Sequence, residues 1–519
     1  MNSVTPLCIL AFCLMLFSCK TDIKLADQLV SHIPDNSVFV ASLSPDRLFQ
    51  KADYEAVKNY GMFKKAFQKL EDSIPVMADI LETPSKSGID FNRDSYFFIL
   101  NNPDRKRQFL VALLMPMQDA TQFQSLISAS SKTNIQSSDN AFQFVAPLKG
   151  ETLIAWNQEK VMLFGFSRGR RDMKAITEVF NMTEDQSLAA NPAFVDGFQE
   201  QHDIKFFVSS NPIVKNLPPE YLLGPSMAGI SADALKDNYT FGSWDFEKGQ
   251  MDGVVRYELK GELTKHYSLF FKDALTSDFS GLIPSEDLFT VSSYALNLKG
   301  VHQGLVEKSV INFVDNFLGQ GSLEFKDIAK AFGGDVSLAA YRPNEKLEYL
   351  GVTNIKNVEV IRQLLEFGVK TGRLGKVNEN LYLSTGSQQN APSSRLFGWD
   401  ATNFQILIKD DNLYFATTEA LIQKIRTKNF VPLSTSNPSI SKLLMDGVGG
   451  FYADFQMAPP NNGFDFKELD FMEGSFDREK GTFSIQLFNQ KDNSLKSMLQ
   501  SMEDRHNKTE QRRNNDSEN

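Results

Sequence analysis

Beyond position 19 the chain contains no cysteine: Cys8, Cys13 and Cys19 are its only three. A body without thiols forms no internal disulfide, holds no cysteine-ligated zinc and offers no cysteine nucleophile. Stability must then come from the cores alone, which is feasible at 519 residues because the buried fraction of the surface grows with size. Histidine is scarce as well. His32, His202, His266, His302 and His506 are scattered, with no HExxH motif and no i, i+4 pair, so no metal site is expected from them. No cofactor motif is present. Gly333-Gly334-Asp335 and Gly447-Val448-Gly449-Gly450 precede strand patterns instead of opening helices, so they do not cradle phosphate. After the first 18 residues no apolar run is long enough to cross a bilayer as a helix. Positive charge is in deficit, 54 Lys and Arg against 64 Asp and Glu, and the resulting net charge of -10 argues against a nucleic-acid partner.

What is present begins at the N-terminus. An apolar run from Val4 ends in Leu16-Phe17-Ser18-Cys19, and the chain turns polar at once with Lys20-Thr21-Asp22. The run, about 14 residues, is too short to span and has the length of a signal-peptide core. It shows no polar face, which argues against a buried N-terminal helix. No Lys or Arg precedes it. The pattern resembles a bacterial lipoprotein signal with its lipobox. The resemblance implies cleavage before Cys19, a diacylglycerol on its thiol, and passage to the outer membrane, because Lys20 and not an aspartate follows the cysteine.

Phenylalanine is in excess, 43 copies against 13 Tyr and 3 Trp. Such bulk fills cores, or else lines a cavity for an apolar ligand or lipid. The mature length exceeds one ordinary core, so two or more domains are expected. Internal matches say where. Ile33-Pro34 before a strand returns as Ile283-Pro284; Asp94-Ser95-Tyr96 as Asp335-Val336-Ser337; a helix capped by Asp119 as one capped by Asn357; Asn191-Pro192 as Asn437-Pro438. Gly242-Ser243-Trp244-Asp245-Phe246-Glu247-Lys248-Gly249 returns as Gly474-Ser475-Phe476-Asp477-Arg478-Glu479-Lys480-Gly481, each read as a strand entering a tight turn. The matched pairs lie roughly 230 to 250 residues apart, the period of a whole domain and not of a solenoid unit. The expectation is α+β: two related lobes, each a mostly antiparallel sheet with helices packed on one face. The boundaries read as a signal peptide over 1–18, a tether over 19–32, a first lobe over 33–275, a second over 276–502 and a polar, disordered tail over 503–519. Within the first lobe, Ser44-Pro45-Asp46 reads as a helix start with Ser44 as cap.

Candidate chemistry is thin. Gly165-Phe166-Ser167-Arg168-Gly169 fits the nucleophile-elbow pattern, with His202, His266 or His302 as conceivable bases. The equivalent place in the second lobe, Leu413 to Glu419, has the same strand-turn-helix pattern without a serine between glycines, so the fold accounts for the turn. Arg168, Arg170 and Arg171 form a local basic patch that reads as a solvated loop. Lys409-Asp410-Asp411-Asn412 lacks alternating oxygen ligands and reads as a hairpin turn, not a calcium loop.

The lipobox, the Ile-Pro start and the two-lobe repeat together resemble an uncharacterised family of Bacteroidota envelope lipoproteins, one that carries only a domain-of-unknown-function label. The resemblance covers nearly the whole mature chain and brings no catalytic residues. The expectation is an outer-membrane lipoprotein, lipidated at Cys19, non-enzymatic, without cofactor or metal, acting as a binding or scaffold subunit with the membrane and other envelope proteins as partners. The alternatives are a carrier of an apolar ligand or lipid, and a serine hydrolase through Ser167.

Overall fold

A computed structural model describes residues 28–101, 109–130, 134–138, 142–146, 152–166, 173–216, 231, 233–307, 311, 323–385, 404–458 and 467–518. The fold is α+β with antiparallel sheet, in two compact units. Among the described residues, unit 1 holds 28–216, 235–258 and 487–518, and unit 2 holds 259–486 with a short stretch before residue 235.

The strands of unit 1 are β1 (Ser37–Leu43), β2 (Ser95–Asn101), β3 (Phe109–Pro116), β4 (Gln136–Ser138), β5 (Phe142–Val145), β6 (Thr152–Trp156), β7 (Lys160–Phe166), β8 (Ile204–Ser209), β9 (Tyr239–Phe246) and β10 (Gln250–Glu258). They pair in the order β10-β9-β8-β1-β2-β3-β7-β6-β5-β4. The strands of unit 2 are β11 (Leu288–Ala295), β12 (Phe332–Tyr341), β13 (Glu348–Ile355), β14 (Leu374–Asn378), β15 (Leu381–Ser384), β16 (Gln405–Lys409), β17 (Asn412–Ala416), β18 (Gly449–Asp454), β19 (Leu469–Phe476) and β20 (Lys480–Leu487). Their order is β20-β19-β18-β11-β12-β13-β17-β16-β15-β14, the same order position for position. Register agrees too: Val40 sits between Phe98 and Phe207, and Val291 between Ala339 and Tyr452.

The main helices of unit 1 are α1 (Pro45–Ala52), α2 (Gly61–Ser73), α3 (Pro75–Glu82), α4 (Ala120–Ser130), α5 (Met173–Phe180) and α6 (Pro192–Gly197). Those of unit 2 are α7 (Val358–Lys370), α8 (Glu419–Thr427) and α9 (Pro438–Leu444), and α10 (Ser494–Glu518) closes the chain. The repeated motifs now have physical causes. In both Asn-Pro pairs the asparagine caps and the proline opens a helix: Asn191 accepts from the N–H of Ala193 and Phe194, and Asn437 from that of Ile440. In both Ile-Pro pairs the isoleucine carbonyl accepts a backbone N–H, from Leu188 to Ile33 at 2.8 Å and from Leu433 to Ile283 at 2.9 Å. At Gly242 and Gly474 a phenylalanine ring of the neighbouring strand, Phe206 or Phe451, lies where a Cβ would stand.

The turns after Gly242 and Gly474 differ. Glu247 pairs back to Gln250 with Gly249 at φ +69°, whereas Asp477 already pairs back to Lys480 and Gly481 lies in β20. The identical letters Glu-Lys-Gly thus stand two residues apart in register. The turn at Asp410-Asp411 is a two-residue hairpin with φ of 51° and 56°, as the letters suggested.

Helices cover both faces of each sheet, and not one face as expected. In unit 1, Phe98, Ala112, Leu153, Phe164 and Phe207 share a core with Val30, Ile176 and Phe194 of the helical segments. Trp156 points to the opposite face, where Phe123 of α4 meets it edge-on with ring centroids 5.4 Å apart. In unit 2, Leu407 and Tyr414 pack with Leu421 and Ile440, while the neighbouring Ile408 packs with Ile361 and Leu365 of α7. The signal was in the sequence: every residue of β7 is buried, and an unbroken apolar run is what burial on both faces produces.

The expected boundary at 275/276 and the disordered tail also give way. The chain leaves unit 1 at Glu258 and re-enters it at Leu487. Residues 503–518 lie in α10, whose buried Leu495 and Leu499 precede the polar stretch. Glu503 accepts the otherwise unpaired N–H groups of Gly61 (2.7 Å) and Met62 (3.0 Å) at the start of α2. Polar composition hid the helix because its partner is another helix terminus, not an apolar core.

Candidate functional site

Cys19, Ser167, Arg168, Arg170 and Arg171 lie outside the described residues. Of the elbow pattern, Gly165 pairs with Val111 and Thr152 and Phe166 ends β7. The histidines are dispersed. His266 lies in the helix Glu262–Phe270, His302 stacks on Phe325 at 6.2 Å, and His506 lies on α10.

His202 belongs to a charge network in unit 1. Its Nδ1 is 2.6 Å from Asp245 Oδ2 and its Nε2 is 3.3 Å from Glu200 Oε2. Both ring nitrogens face carboxylates, and the hydrogen bond to Asp245 raises its pKa. The two carboxylates favour the charged ring, and each ring nitrogen is already engaged, so neither is free to act as a general base. Asp203, fully buried, accepts from Arg47 Nε (2.8 Å), Lys51 Nζ (2.7 Å) and the Phe246 N–H (2.7 Å). Ser44 does not cap α1; its hydroxyl donates to Asp94 Oδ1 at 2.6 Å, and Ser42 donates to Asp94 Oδ2 at 2.8 Å. The matched aspartate of unit 2, Asp335, accepts from Lys272 and from the Thr276 hydroxyl at 2.5 Å. These are satisfied, internally paired charges. They lock strand ends and leave no group poised for chemistry.

Lys160 is different. It is 1% exposed, donates among the described residues only to the Phe180 carbonyl at 3.3 Å, and burial pushes its pKa down to about 8. Burial, then the neighbouring Lys160 charge, hold His32 down to about 4. The unfolded chain binds the lysine proton up to about pH 10.5, so between about 8 and 10.5 the unfolded state carries more protons and stability rises with pH. We expect a gain of up to about 3 kcal/mol across that window in denaturant titrations of the wild type, and a flat profile with higher stability at pH 7 in Lys160→Met. A parallel slope in the variant would refute this.

The candidate site is in unit 2, where α7 and the β14–β15 hairpin enclose a cleft of about 510 Å³. The sequence builds it simply. Asn357 caps α7 by accepting from Glu359 and Val360 N–H, and Ile361 and Leu365 turn inward. The complementary stripe, Glu359, Arg362, Glu366 and Lys370, then faces the cleft, and Lys376 and Glu379 approach from the hairpin. Phe367 gives it an apolar side, and Tyr382 at its base is fully buried. Glu366 accepts from Lys376 Nζ (2.6 Å) and from the Tyr382 hydroxyl (3.3 Å), and the bond from Lys376 holds its pKa below the usual range. Arg362 Nη2 donates to Asn380 Oδ1 at 3.1 Å, but its Nε is buried with no hydrogen-bond partner among the described residues. Among the same residues, Glu359, Lys370 and Glu379 form no ion pair.

The matched helix of unit 1 provides a comparison inside the same chain. Counted from the caps Asp119 and Asn357, the inward positions agree: Phe123 with Ile361, Ile127 with Leu365, all buried. The outward positions do not: Thr121, Gln124 and Ser128 stand where unit 2 has Glu359, Arg362 and Glu366. The fold needs the inner residues. It does not need the charged stripe. Reading the sequence alone missed this cleft, although charges at 359, 362, 366 and 370 on one helix face were the available signal.

A family model described as a domain of unknown function (DUF4836) matches residues 30–429. No curated protein matches the sequence. Crystal form IV of TP0453 is similar in structure with a TM-score of 0.26 and 10% identity, over 44% of this chain and 79% of that one. Crystal form III gives a TM-score of 0.20 and 10% identity, over 82% of this chain and 99% of that one.

Proposed function

The chain belongs to the family described as a domain of unknown function (DUF4836), and from that premise we propose that it is a lipid-anchored protein of the bacterial outer membrane, acting as a non-enzymatic binding or scaffold subunit. Its anchor is Cys19. The support is the apolar run ending in Ser18-Cys19 and the polar turn at Lys20. A diacylglycerol carries two chains, enough for stable attachment where one chain is not. Its body, on this reading, is one α+β lobe duplicated, supported by the common strand order and by the paired Ile-Pro, Asn-Pro and Gly-Phe devices. Its partners are the membrane and other envelope proteins.

The observation that carries the binding role is the charged cleft on α7, whose charges at 359, 362 and 366 are replaced by Thr121, Gln124 and Ser128 on the matched helix. An apolar carrier has less behind it. That cleft is largely charged, and the rings of Phe98, Phe123, Phe164, Phe194 and Phe207 are buried in packed cores.

The anchor is tested by metabolic labelling with an alkyne-bearing fatty acid and by phase separation in detergent. The wild type should take label and enter the detergent phase, and Cys19→Ser should do neither. An unlabelled wild type, or one released from membranes by a salt wash, overturns the anchor.

A further inference from the structure

We propose that the α7 cleft binds a zwitterionic ligand carrying a free ammonium and a free carboxylate, as an amino acid or a short peptide does. The inference rests on the binding reading above and names its ligand class. The cleft presents both signs of charge. An anion alone would meet Glu359 and Glu379, and a cation alone would meet Arg362 and Lys370. A ligand with both charges meets an opposite partner at each end.

The internal pairing leaves those partners available. Glu366 and Lys376 are bound to each other at 2.6 Å, which neutralises one side of the cleft. Arg362 supplies the carboxylate end. A carboxylate that accepts from the part of its guanidinium facing the cleft gains charge-assisted hydrogen bonds. Lysine in its place would lack the planar fork. Phe367 offers apolar surface for a small side chain between the two ends. A cleft of about 510 Å³ has room for a few residues and falls within the usual range of small-ligand sites. The alternative is a solvated helix face whose charges pair along α7. Against it, the ion pair formed there runs from α7 to the hairpin, between Glu366 and Lys376, and not between successive turns of the helix.

The experiment is calorimetric titration of the full chain in detergent with L-alanyl-L-alanine, its N-acetyl form and its C-terminal amide. The free dipeptide should bind, and each blocked form should bind at least about tenfold more weakly. Arg362→Gln and Glu359→Gln should each weaken the free dipeptide by about tenfold or more. Gln124→Ala, at the matched place on α4, should leave it unaltered. Absence of binding by all three probes up to about 10 mM, or equal binding of the blocked and free forms, overturns the ligand class. The anchor fails separately: a dipeptide that binds a chain without lipid on Cys19 removes the anchor and leaves this inference standing.

Discussion

Replacing Asp203 with alanine should destabilise unit 1 by about 3 kcal/mol, the lower part of the range for breaking a buried ion pair from one side. Asp203 is the only fully buried member of its network, and three donors converge on it: Arg47, Lys51 and the Phe246 N–H. Arg47 and Lys51 keep 31% and 18% side-chain exposure, so both regain some hydration when the carboxylate goes, which holds the cost below the upper limit. The Phe246 N–H has no such recourse, because it is buried in β9. Hydrogen exchange read peptide by peptide is the right measurement, since a chain with two compact units need not unfold in one step. Peptides of β1, β8 and β9 should exchange faster by about two orders of magnitude, while β11–β13 stay unchanged. Exchange within about threefold of wild type would mean that the network is decorative.

Cutting the chain after Asn493 should have the larger effect. Two buried leucines, Leu495 and Leu499, contribute about 3–5 kcal/mol together. The carboxylate of Glu503 adds charge-assisted bonds to two helix N–H groups, about 1–3 kcal/mol more. The sum reaches the total stability of many domains. Unit 1 should become protease-sensitive around α1 and α2, with α2 the first site cut, and unit 2 should keep its protection. Glu503→Gln alone should cost about 1 kcal/mol at neutral pH. Backbone bonds from Gly61 and Met62 outweigh burial and lower the pKa of Glu503, so its contribution is complete above the ordinary carboxylate range and is lost as the pH falls through the depressed value. A truncated chain with wild-type protection in α2 would refute the role of α10.

How far the sequence spoke depends on the distance over which each signal acts. The α+β class and most strands were legible because they rest on local period, and the capping and turn devices because they rest on recurring letters: Ile-Pro, Asn-Pro, Gly242 and Gly474. The Asp410-Asp411 turn was legible for the same reason. What failed was non-local. Nothing near Ser44 reveals that its hydroxyl is taken by Asp94, 50 residues on. Nothing in the polar run after Met502 announces that Glu503 caps a helix 442 residues earlier. The cleft was half legible. Its stripe of charges was visible on α7, but the hairpin that turns a stripe into a cavity comes from a separate element. Identical letters also misled: Glu-Lys-Gly occurs in both units, yet the turn forms two residues earlier in the second.

The re-entry of the chain at Leu487 sets an order of events in biosynthesis. The portion made first lacks its closing helix until the portion made last has emerged, so the second unit has every residue it needs before the first does. A nascent molecule therefore has a complete second unit and an unfinished first one, and whatever holds it soluble in that interval must shield the bare face around α1 and α2. Mutations that weaken the early portion should surface as lost yield before they surface as a lower melting temperature.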